Sequence, residues 1–279
     1  MISSLGIRPN WMTASFNVPQ SESHLFFVRS AQVYHLRIRI FGSMSEVGTK
    51  QIIKLGIMQL ALSYLMLSIQ IVVFSLFAGF MPGIQQWIYF GTAFIHSTVS
   101  TAFQLKLNPE LFAQRLKFKR EGSKLWDEVL MRVSNLMVLI VIPAAAGVEI
   151  GRHPQSNLNI GFAVVGLSLA SISTILLNWA MIVNPHFEPT VRIQKDRDHK
   201  VIRSGPYGIV RHPGYLAAIL YSLSMPLLMG SALAFIPAGI HALLMVIRTW
   251  LEDKTLQEEL KGYTEYANQT RCRLFPGIW

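Results

Sequence analysis

Long apolar segments constrain what this 279-residue chain can fold into more than any other feature of its sequence. A helix needs about 20 apolar residues to cross a hydrocarbon core that is ~30 Å thick. Four segments are close to or above that length, at residues 55–80, 87–105, 129–148 and 158–183. We therefore expect four membrane-spanning helices in the first two thirds of the chain.

A fifth apolar stretch, residues 215–250, is too long for one span and carries helix-breaking residues at its middle. Pro226, Gly230, Ser231 and Pro237 interrupt it. Proline and glycine end or turn helices. We therefore expect a helical hairpin that turns near Gly230, which brings the count to about six spans in an all-α polytopic membrane protein.

The charged residues support this topology. Only 14% of the residues are charged, and 25 Lys and Arg outnumber 15 Asp and Glu. With six spans and both termini cytoplasmic, 24 of the 25 basic residues fall inside and Arg152 alone falls outside, as the positive-inside rule predicts. The basic excess then indicates contact with membrane lipids and no nucleic-acid partner. The membrane would be the plasma membrane of a bacterium or the endoplasmic reticulum of a eukaryote.

The chain divides into three regions. Residues 1–52 form a weakly ordered N-terminal cytoplasmic segment, with no signal-peptide pattern and a strand-like alternation at 33–41. A chain starting at Met44 is expected to remain functional. Residues 53–184 hold helices 1–4, where Gln59, Gln70, His96 and Asn178 are expected to form interhelical hydrogen bonds. Residues 185–279 form the catalytic region.

Polar motifs are concentrated in that last region. They lie at residues 191–194, 198–207, 210–215, 248–253, 262–266 and 271–277. The sequence has no glycine-rich nucleotide loop and no Cys/His set at metal spacing, and Cys272 is its single cysteine, so neither a soluble-type nucleotide fold nor a metal site is expected.

The order of these motifs resembles the isoprenylcysteine carboxyl methyltransferase family and its bacterial relatives. The similarity runs over about residues 185–277. It rests on residues 204–207 (Ser-Gly-Pro-Tyr), residues 211–215 (Arg-His-Pro-Gly-Tyr), the pair Arg248 and Glu252, and Tyr263 with Tyr266. Residues 108–111 and 124–127 are similar to the bacterial branch. The resemblance implies S-adenosylmethionine bound at the cytoplasmic face and an apolar substrate that arrives from the membrane.

Carried over by position, the resemblance implies a site of twelve residues. Arg248 and Glu252 would be catalytic, with Arg248 directed at the substrate and Glu252 also contacting the cofactor. The other cofactor contacts would be Gln194, His199, Lys200, Val201, Ile202, Tyr207, His212, Pro213, Gly214 and Tyr215. Two departures stand out: a short linker between Gln194 and His199, and Leu251 before Glu252 where relatives commonly have a double Glu.

The chemistry of these residue types agrees with the implied roles. Arg248 and Glu252 are four residues apart and so share a helix face, where arginine could hold a carboxylate at two points and Glu252 a cofactor hydroxyl or amine. Tyr207 and Tyr215 could present ring faces to the sulfonium. His212 precedes Pro213 at a helix start, where free N–H groups favour an anion.

Structural interpretations of the same residues stay open. Residues 212–214 could be only a loop-to-helix junction, and Arg248 with Glu252 only a surface ion pair. Tyr263 and Tyr266 are expected to anchor an amphipathic tail helix. Basic residues of the tail are expected to meet anionic headgroups, namely Lys254, Lys261, Arg271 and Arg273.

The sequence thus predicts an S-adenosylmethionine-dependent integral membrane methyltransferase. Its favoured reaction is carboxyl or thiol methylation of a lipophilic small molecule or lipidated substrate, such as a prenylcysteine. A phospholipid amine methyltransferase and an NADPH-dependent reductase of the sterol-reductase type are the alternatives. A transporter or structural protein would predict inverted repeats or a polar path at mid-membrane, and the sequence has neither.

Overall fold

The computed structural model describes residues 48–115, 122–153 and 158–279. These residues are helical or irregular, and none of them forms a β-strand. The strand-like alternation at 33–41 and the expectation for a chain starting at Met44 lie outside the described residues. The all-α architecture predicted from the sequence is confirmed for the part of the chain that the structure covers.

The described chain contains six long α-helices, two short α-helices and two short 3₁₀ helices, Lys195–Arg197 and Gly205–Gly208. The long ones are α1 (Thr49–Ala78), α2 (Ile84–Leu107), α4 (Leu125–Arg152), α5 (Ile160–Val183), α6 (Pro213–Met229) and α7 (Phe235–Glu259), and the short α-helices are α3 (Pro109–Arg115) and α8 (Tyr263–Gln269). The long helices correspond one to one to the six predicted spans.

Four of these helices, α1, α4, α5 and α7, are long and apolar enough to cross a membrane. Helix α6 is apolar but has only 17 residues. Helix α2 has 24 residues, and its apolar character is reduced by Gln85, Gln86 and Gln104. Large apolar side chains point outward, among them Leu76 on α1 and Ile175 on α5, which is expected of helices that face lipid.

Helix α4 stays continuous through a proline. Pro143 lacks an N–H and its ring would clash with the carbonyl one turn earlier. A π-helical turn at Met137–Val141 precedes Ile142 and Pro143 and widens the backbone there, which is a common way for a helix to absorb such a defect. The helix therefore extends beyond both ends of the predicted segment 129–148.

The predicted hairpin of α6 and α7 is confirmed, with its turn at Gly230. This residue has a φ of 78°, which glycine adopts at little cost. A Cβ atom at this position would also lie 2.8 Å from the side chain of Gln85. Both the turn and the close approach of α2 therefore require glycine here.

Three of the four polar residues predicted to join helices do so. Tyr89 donates a hydrogen bond to Gln70 over 2.9 Å, His96 Nδ1 lies 3.0 Å from Thr174 Oγ1, and Asn178 donates to Ser100 over 2.7 Å. The prediction for Gln59 is wrong, because its amide donates to Ser63 on its own helix.

Candidate functional site

A cavity of about 290 Å³ lies among α4, α5, α6, α7 and the loop of residues 184–202. All twelve residues of the predicted site line it, although they are spread over 59 positions of the sequence. They are Gln194, His199, Lys200, Val201, Ile202, Tyr207, His212, Pro213, Gly214, Tyr215, Arg248 and Glu252. The structure therefore brings the whole predicted set to one place.

The loop that forms one wall is held by the buried side chain of Gln194. Its amide donates to the carbonyl of His186 over 2.7 Å and its oxygen accepts from Arg197 over 3.1 Å. These bonds close the loop on itself, so that the rings of His186 and His199 lie 4.5 Å apart between centroids. The Gln194 side chain is thus engaged in shaping the loop.

Both imidazoles of this loop are held neutral at pH 7. Burial, with a smaller contribution from His186, lowers the pKa of His199 to about 4. Burial also lowers the pKa of His186. The two imidazoles therefore add hydrogen-bonding groups to this wall of the cavity without adding charge.

Tyr207 is fixed at both its ring and its backbone. Asn184 donates to its hydroxyl over 3.0 Å, and the hydroxyl of Tyr266 donates to its carbonyl over 2.7 Å. Burial raises the pKa of Tyr207 well above its ordinary value, so its hydroxyl remains protonated in any physiological range.

The start of α6 brings His212 and Tyr215 together. Their rings stack with centroids 5.7 Å apart and planes 7° apart. Between them, a Cβ on Gly214 would lie 2.5 Å from the ring of Phe187. Glycine is therefore required here, because Phe187 packs directly against the backbone of the helix start.

Arg248 is buried and its partner is Asp127, not Glu252. Its Nε donates to Asp127 Oδ1 over 2.6 Å and its Nη2 to the carbonyl of Pro189 over 2.6 Å, while the guanidinium lies 4.8 Å from the centre of the Tyr215 ring. Only 4% of Arg248 is exposed. The interpretation of Arg248 and Glu252 as a surface ion pair is therefore wrong, because Arg248 forms its ion pair with Asp127 on α4 instead.

This arrangement leaves part of the Arg248 guanidinium available to a substrate. A guanidinium has five N–H donors, of which one on Nε and one on Nη2 are used by Asp127 and Pro189. Nη1 has no hydrogen-bond partner in the described chain, and Nη2 keeps a second N–H. A substrate oxygen can therefore be contacted through Nη1, alone or together with Nη2.

Glu252 accepts a hydrogen bond from the hydroxyl of Tyr215 and is half-buried. No lysine, arginine or histidine forms an ion pair with it among the residues described. The other glutamate of the cavity, Glu188, is paired with Arg192 over 2.8 Å. Glu252 is thus a cavity carboxylate with no cationic partner in the described protein.

Asp253 was not predicted as a site residue from the sequence, but its carboxylate contacts several residues that line the cavity. Arg211 donates to both of its oxygens over 2.8 Å, and Tyr263 donates to Oδ1 over 2.9 Å. His212 Nε2 lies 3.2 Å from the same oxygen. One buried carboxylate therefore fixes the His212 ring that lines the cavity.

Asp253 also ties down the C-terminal tail. Arg273 donates to its Oδ2 over 2.9 Å and its guanidinium lies 4.9 Å from the Trp279 ring centre. The headgroup role predicted for Arg273 is therefore wrong, because this side chain points into the protein. The roles predicted for Lys254, Lys261 and Arg271 stay predictions, and these residues are exposed.

The prediction that Tyr263 and Tyr266 anchor an amphipathic tail helix at the membrane is also wrong. Both are at most 4% exposed and both line the cavity. They contact Asp253 and Tyr207 instead of lipid, because α8 packs inward over the helix ends.

The remaining wall residues gave little signal in the sequence. Asp127 lies in a stretch noted only for similarity, and the loop around His186 and Phe187 has no motif. His241 is the single histidine in the apolar hairpin, and this pattern could have indicated a site residue. Within the described ranges, no group of three or more His, Cys, Asp or Glu side chains is arranged to hold a metal ion.

The fold is similar to that of one solved membrane methyltransferase. That structure is the eukaryotic intramembrane Ras methyltransferase ICMT, isoprenylcysteine carboxyl methyltransferase, with a TM-score of 0.50 and 14% sequence identity over 90% of this chain and 85% of that one. At this identity the likeness concerns the fold. No curated protein sequence matches the chain.

A family model adds evidence from the sequence itself. Residues 164–258 match the isoprenylcysteine carboxyl methyltransferase (ICMT) family. This range includes all twelve residues predicted for the site, as well as α6 and most of α5 and α7. The match confirms the predicted resemblance to the ICMT family over residues 164–258.

Proposed function

We propose that this protein transfers a methyl group from S-adenosylmethionine to a carboxyl, or a thiol, of a lipophilic substrate such as a prenylcysteine. The observation that carries the proposal is the two-sided character of the cavity. Its polar side presents His186 and Gln194 of the loop and Glu252 at the C-terminal part of α7, whereas its apolar side presents Met131, Leu177 and Met245. A polar cofactor and an apolar acceptor could thus meet in one enclosed space.

The polar side of the cavity suits the charges of S-adenosylmethionine, which supplies an electrophilic methyl group on a sulfonium. Glu252 offers an unpaired carboxylate for a cationic amine or sulfonium. Tyr207 and Tyr263 are rigid aromatic neighbours, and the Gly214 N–H at the start of α6 favours a carboxylate. These residues would bind and align, which is what an in-line displacement needs most.

Arg248 would orient the acceptor. Asp127 and Pro189 hold the guanidinium in place, so its free Nη1 has a fixed position from which to contact one acceptor oxygen. An orienting group that is already immobilised loses little entropy when the acceptor arrives. The role is therefore an orienting contact through Nη1, and the two-point clamp expected from the sequence stays a prediction because Nη2 keeps a second N–H.

The reductase alternative is less well supported. Reading a 2′-phosphate would need basic groups available to it, but Arg192, Arg211 and Arg248 each pair with a carboxylate. Of the other basic residues of the cavity, Lys200 pairs with Asp198 and Arg115 donates to the carbonyl of Phe187. An uncompensated Arg248 would repel a cationic amine, but Asp127 compensates its charge, so the amine alternative is compatible with the site. The chemical nature of the product separates these possibilities.

The test is methyl transfer from S-adenosylmethionine labelled in its methyl group, with purified full-length protein in lipid nanodiscs and a farnesylated cysteine derivative as acceptor. We expect label in the acceptor that mild base releases as methanol, the behaviour of a methyl ester. Base-stable label on phosphatidylethanolamine would favour the amine alternative. Absence of transfer to carboxyl, thiol and amine acceptors alike would overturn the proposal.

A further inference from the structure

Two polar side chains deep in the cavity have no hydrogen-bond partner. Ser134 on α4 and His241 on α7 are 3% and 4% exposed. Both line the cavity, and Ser134 Oγ and His241 Nδ1 are buried without a partner among the described residues. Buried polar atoms in proteins nearly always have one, so this pair requires an explanation.

The two residues lie at matching depth. Ser134 follows Asp127 by seven residues on α4, and His241 precedes Arg248 by seven residues on α7. Seven residues are close to two helical turns, which returns each side chain to the same face about 10 Å along the helix. Since the ion pair of Asp127 with Arg248 joins the two antiparallel helices, both residues lie about two turns deeper than that pair.

The surroundings at this depth are mostly apolar, with Asn135 on α4 as a further polar residue of the cavity wall. Met131, Leu177, Ala218 and Met245 supply neighbouring parts of the cavity wall. An unbranched hydrocarbon or an unsubstituted prenyl chain in this space would leave Ser134 and His241 unsatisfied, which is unfavourable for buried polar groups. Polar side chains within spanning helices commonly mark a functional site.

We infer that the lipophilic part of the acceptor carries a hydroxyl or carbonyl oxygen that hydrogen-bonds to Ser134 and His241. The serine hydroxyl can donate and accept, and imidazole Nδ1 does either according to its tautomer. The oxygen would lie about 10 Å from the group that receives the methyl. The inference rests on the proposed function and specifies its substrate class as an oxygenated lipid acid or thiol.

A single trapped water is the competing occupant. A water needs two to four polar partners in a roomy site, and Ser134 with His241 would supply two. Water would satisfy the pair without any preference among acceptors. Acceptor preference therefore separates the two explanations.

The experiment compares two series of acceptors that share the same thioether carboxylic acid head. One series has plain alkyl tails, and the other has the same tails ending in a hydroxyl, over a range of chain lengths. Binding is measured by thermal shift and methyl transfer by kcat/KM, with wild-type protein in nanodiscs. We expect the hydroxylated acceptor to be preferred about tenfold or more at one chain length.

Three variants show whether the pair causes that preference. The double variant Ser134→Ala with His241→Phe should lose or reverse it, and His241→Asn should retain part of it. His96→Phe is the control, because His96 lies within α2 and does not line the cavity; it should keep the wild-type preference.

The outcomes separate this inference from the proposed function. If wild-type protein favours neither acceptor at any length, or the double variant keeps the full preference, the inference is wrong. If both series are methylated equally, the proposed function stands without it. If the hydroxylated acceptor binds preferentially but no methyl is transferred, the oxygen site stands and the proposed function fails.

Discussion

Arg248 Nε on α7 lies 2.6 Å from Asp127 Oδ1 on α4, and both side chains are at most 5% exposed. This ion pair fixes the guanidinium, whose Nη1 has no hydrogen-bond partner among the described residues and remains available beside the cavity. Asp127 also accepts from the N–H of Val191 over 2.7 Å. The pair thus links two spanning helices to the loop that forms the cavity wall.

Replacing either Arg248 or Asp127 alone should destabilise the protein more than replacing both residues together. Removing one partner of a buried ion pair leaves an uncompensated charge, which typically costs about 3–5 kcal/mol. We expect Arg248→Gln and Asp127→Asn each to lower the thermal unfolding temperature, and the double variant to recover much of the loss. Scanning fluorimetry in detergent measures this, and strictly additive losses would contradict the pairing.

The same variants separate stability from catalysis. If Arg248 orients the acceptor, the double variant should bind S-adenosylhomocysteine within a few-fold of wild type while methyl transfer falls by ~10²-fold or more. Arg248→Lys should restore little, because an ammonium cannot reproduce the planar contacts to Asp127, Pro189 and Tyr215. Full activity of the double variant would remove the acceptor role of Arg248.

Asp253 should be a residue of structural importance whose loss also reaches the cavity. Asp253→Ala leaves buried Arg211 unpaired and frees His212 and the tail, so we expect destabilisation on the order of several kcal/mol. Asp253→Asn keeps the shape and should cost less. Limited trypsin digestion after Arg271 and Arg273 reports release of the tail, and unchanged cleavage in Asp253→Ala would contradict the role.

The histidine loop should make stability depend on pH. The pKa of His199 is about 4 in the folded protein and ~6.5 when the chain is unfolded. Between these values the unfolded chain binds more protons, so stability is fully present above pH ~6.5 and is lost as the pH falls towards 4. We expect the unfolding temperature to fall across this window.

His199→Asn tests the assignment, because asparagine keeps a polar group but does not titrate. The variant should show a shallower fall in unfolding temperature over the same pH window. A slope identical to that of the wild type would show that other groups cause the dependence.

The orientation of the chain in the membrane is a prediction from the basic residues. Reporter fusions after Arg115, Lys195 and Trp279 should report the cytoplasmic side, and a fusion after His153 the opposite side. An exterior signal at Lys195 would put the loop of the cavity on the wrong side for cytoplasmic S-adenosylmethionine.

Some of this molecule could be predicted because its signals are local. Segment length and apolar content predict spanning helices, and Pro226 with Gly230 predicts the hairpin turn. The order of motifs between Gln194 and Glu252 predicts which residues share a site. These features depend on neighbours in the sequence or on their order along it.

The partners of the charged residues could not be predicted in the same way. Helical spacing puts Arg248 and Glu252 on one face, but it says nothing of Asp127, which lies 121 residues away. Burial decides between the two acids, because the enclosed pair with Asp127 also bonds to Val191 and Pro189. For the same reason Tyr263 and Arg273, which suit a surface tail, turn inward to Asp253.

Binding of S-adenosylhomocysteine to the purified full-length protein in nanodiscs, measured by calorimetry beside NADPH, tests the central claim most directly. We expect one molecule of S-adenosylhomocysteine to bind and NADPH to give no heat of binding. Tyr207→Ala and Glu252→Gln should each weaken the interaction about tenfold or more, the scale of one lost charged or aromatic contact. Binding of NADPH without binding of S-adenosylhomocysteine would contradict the account.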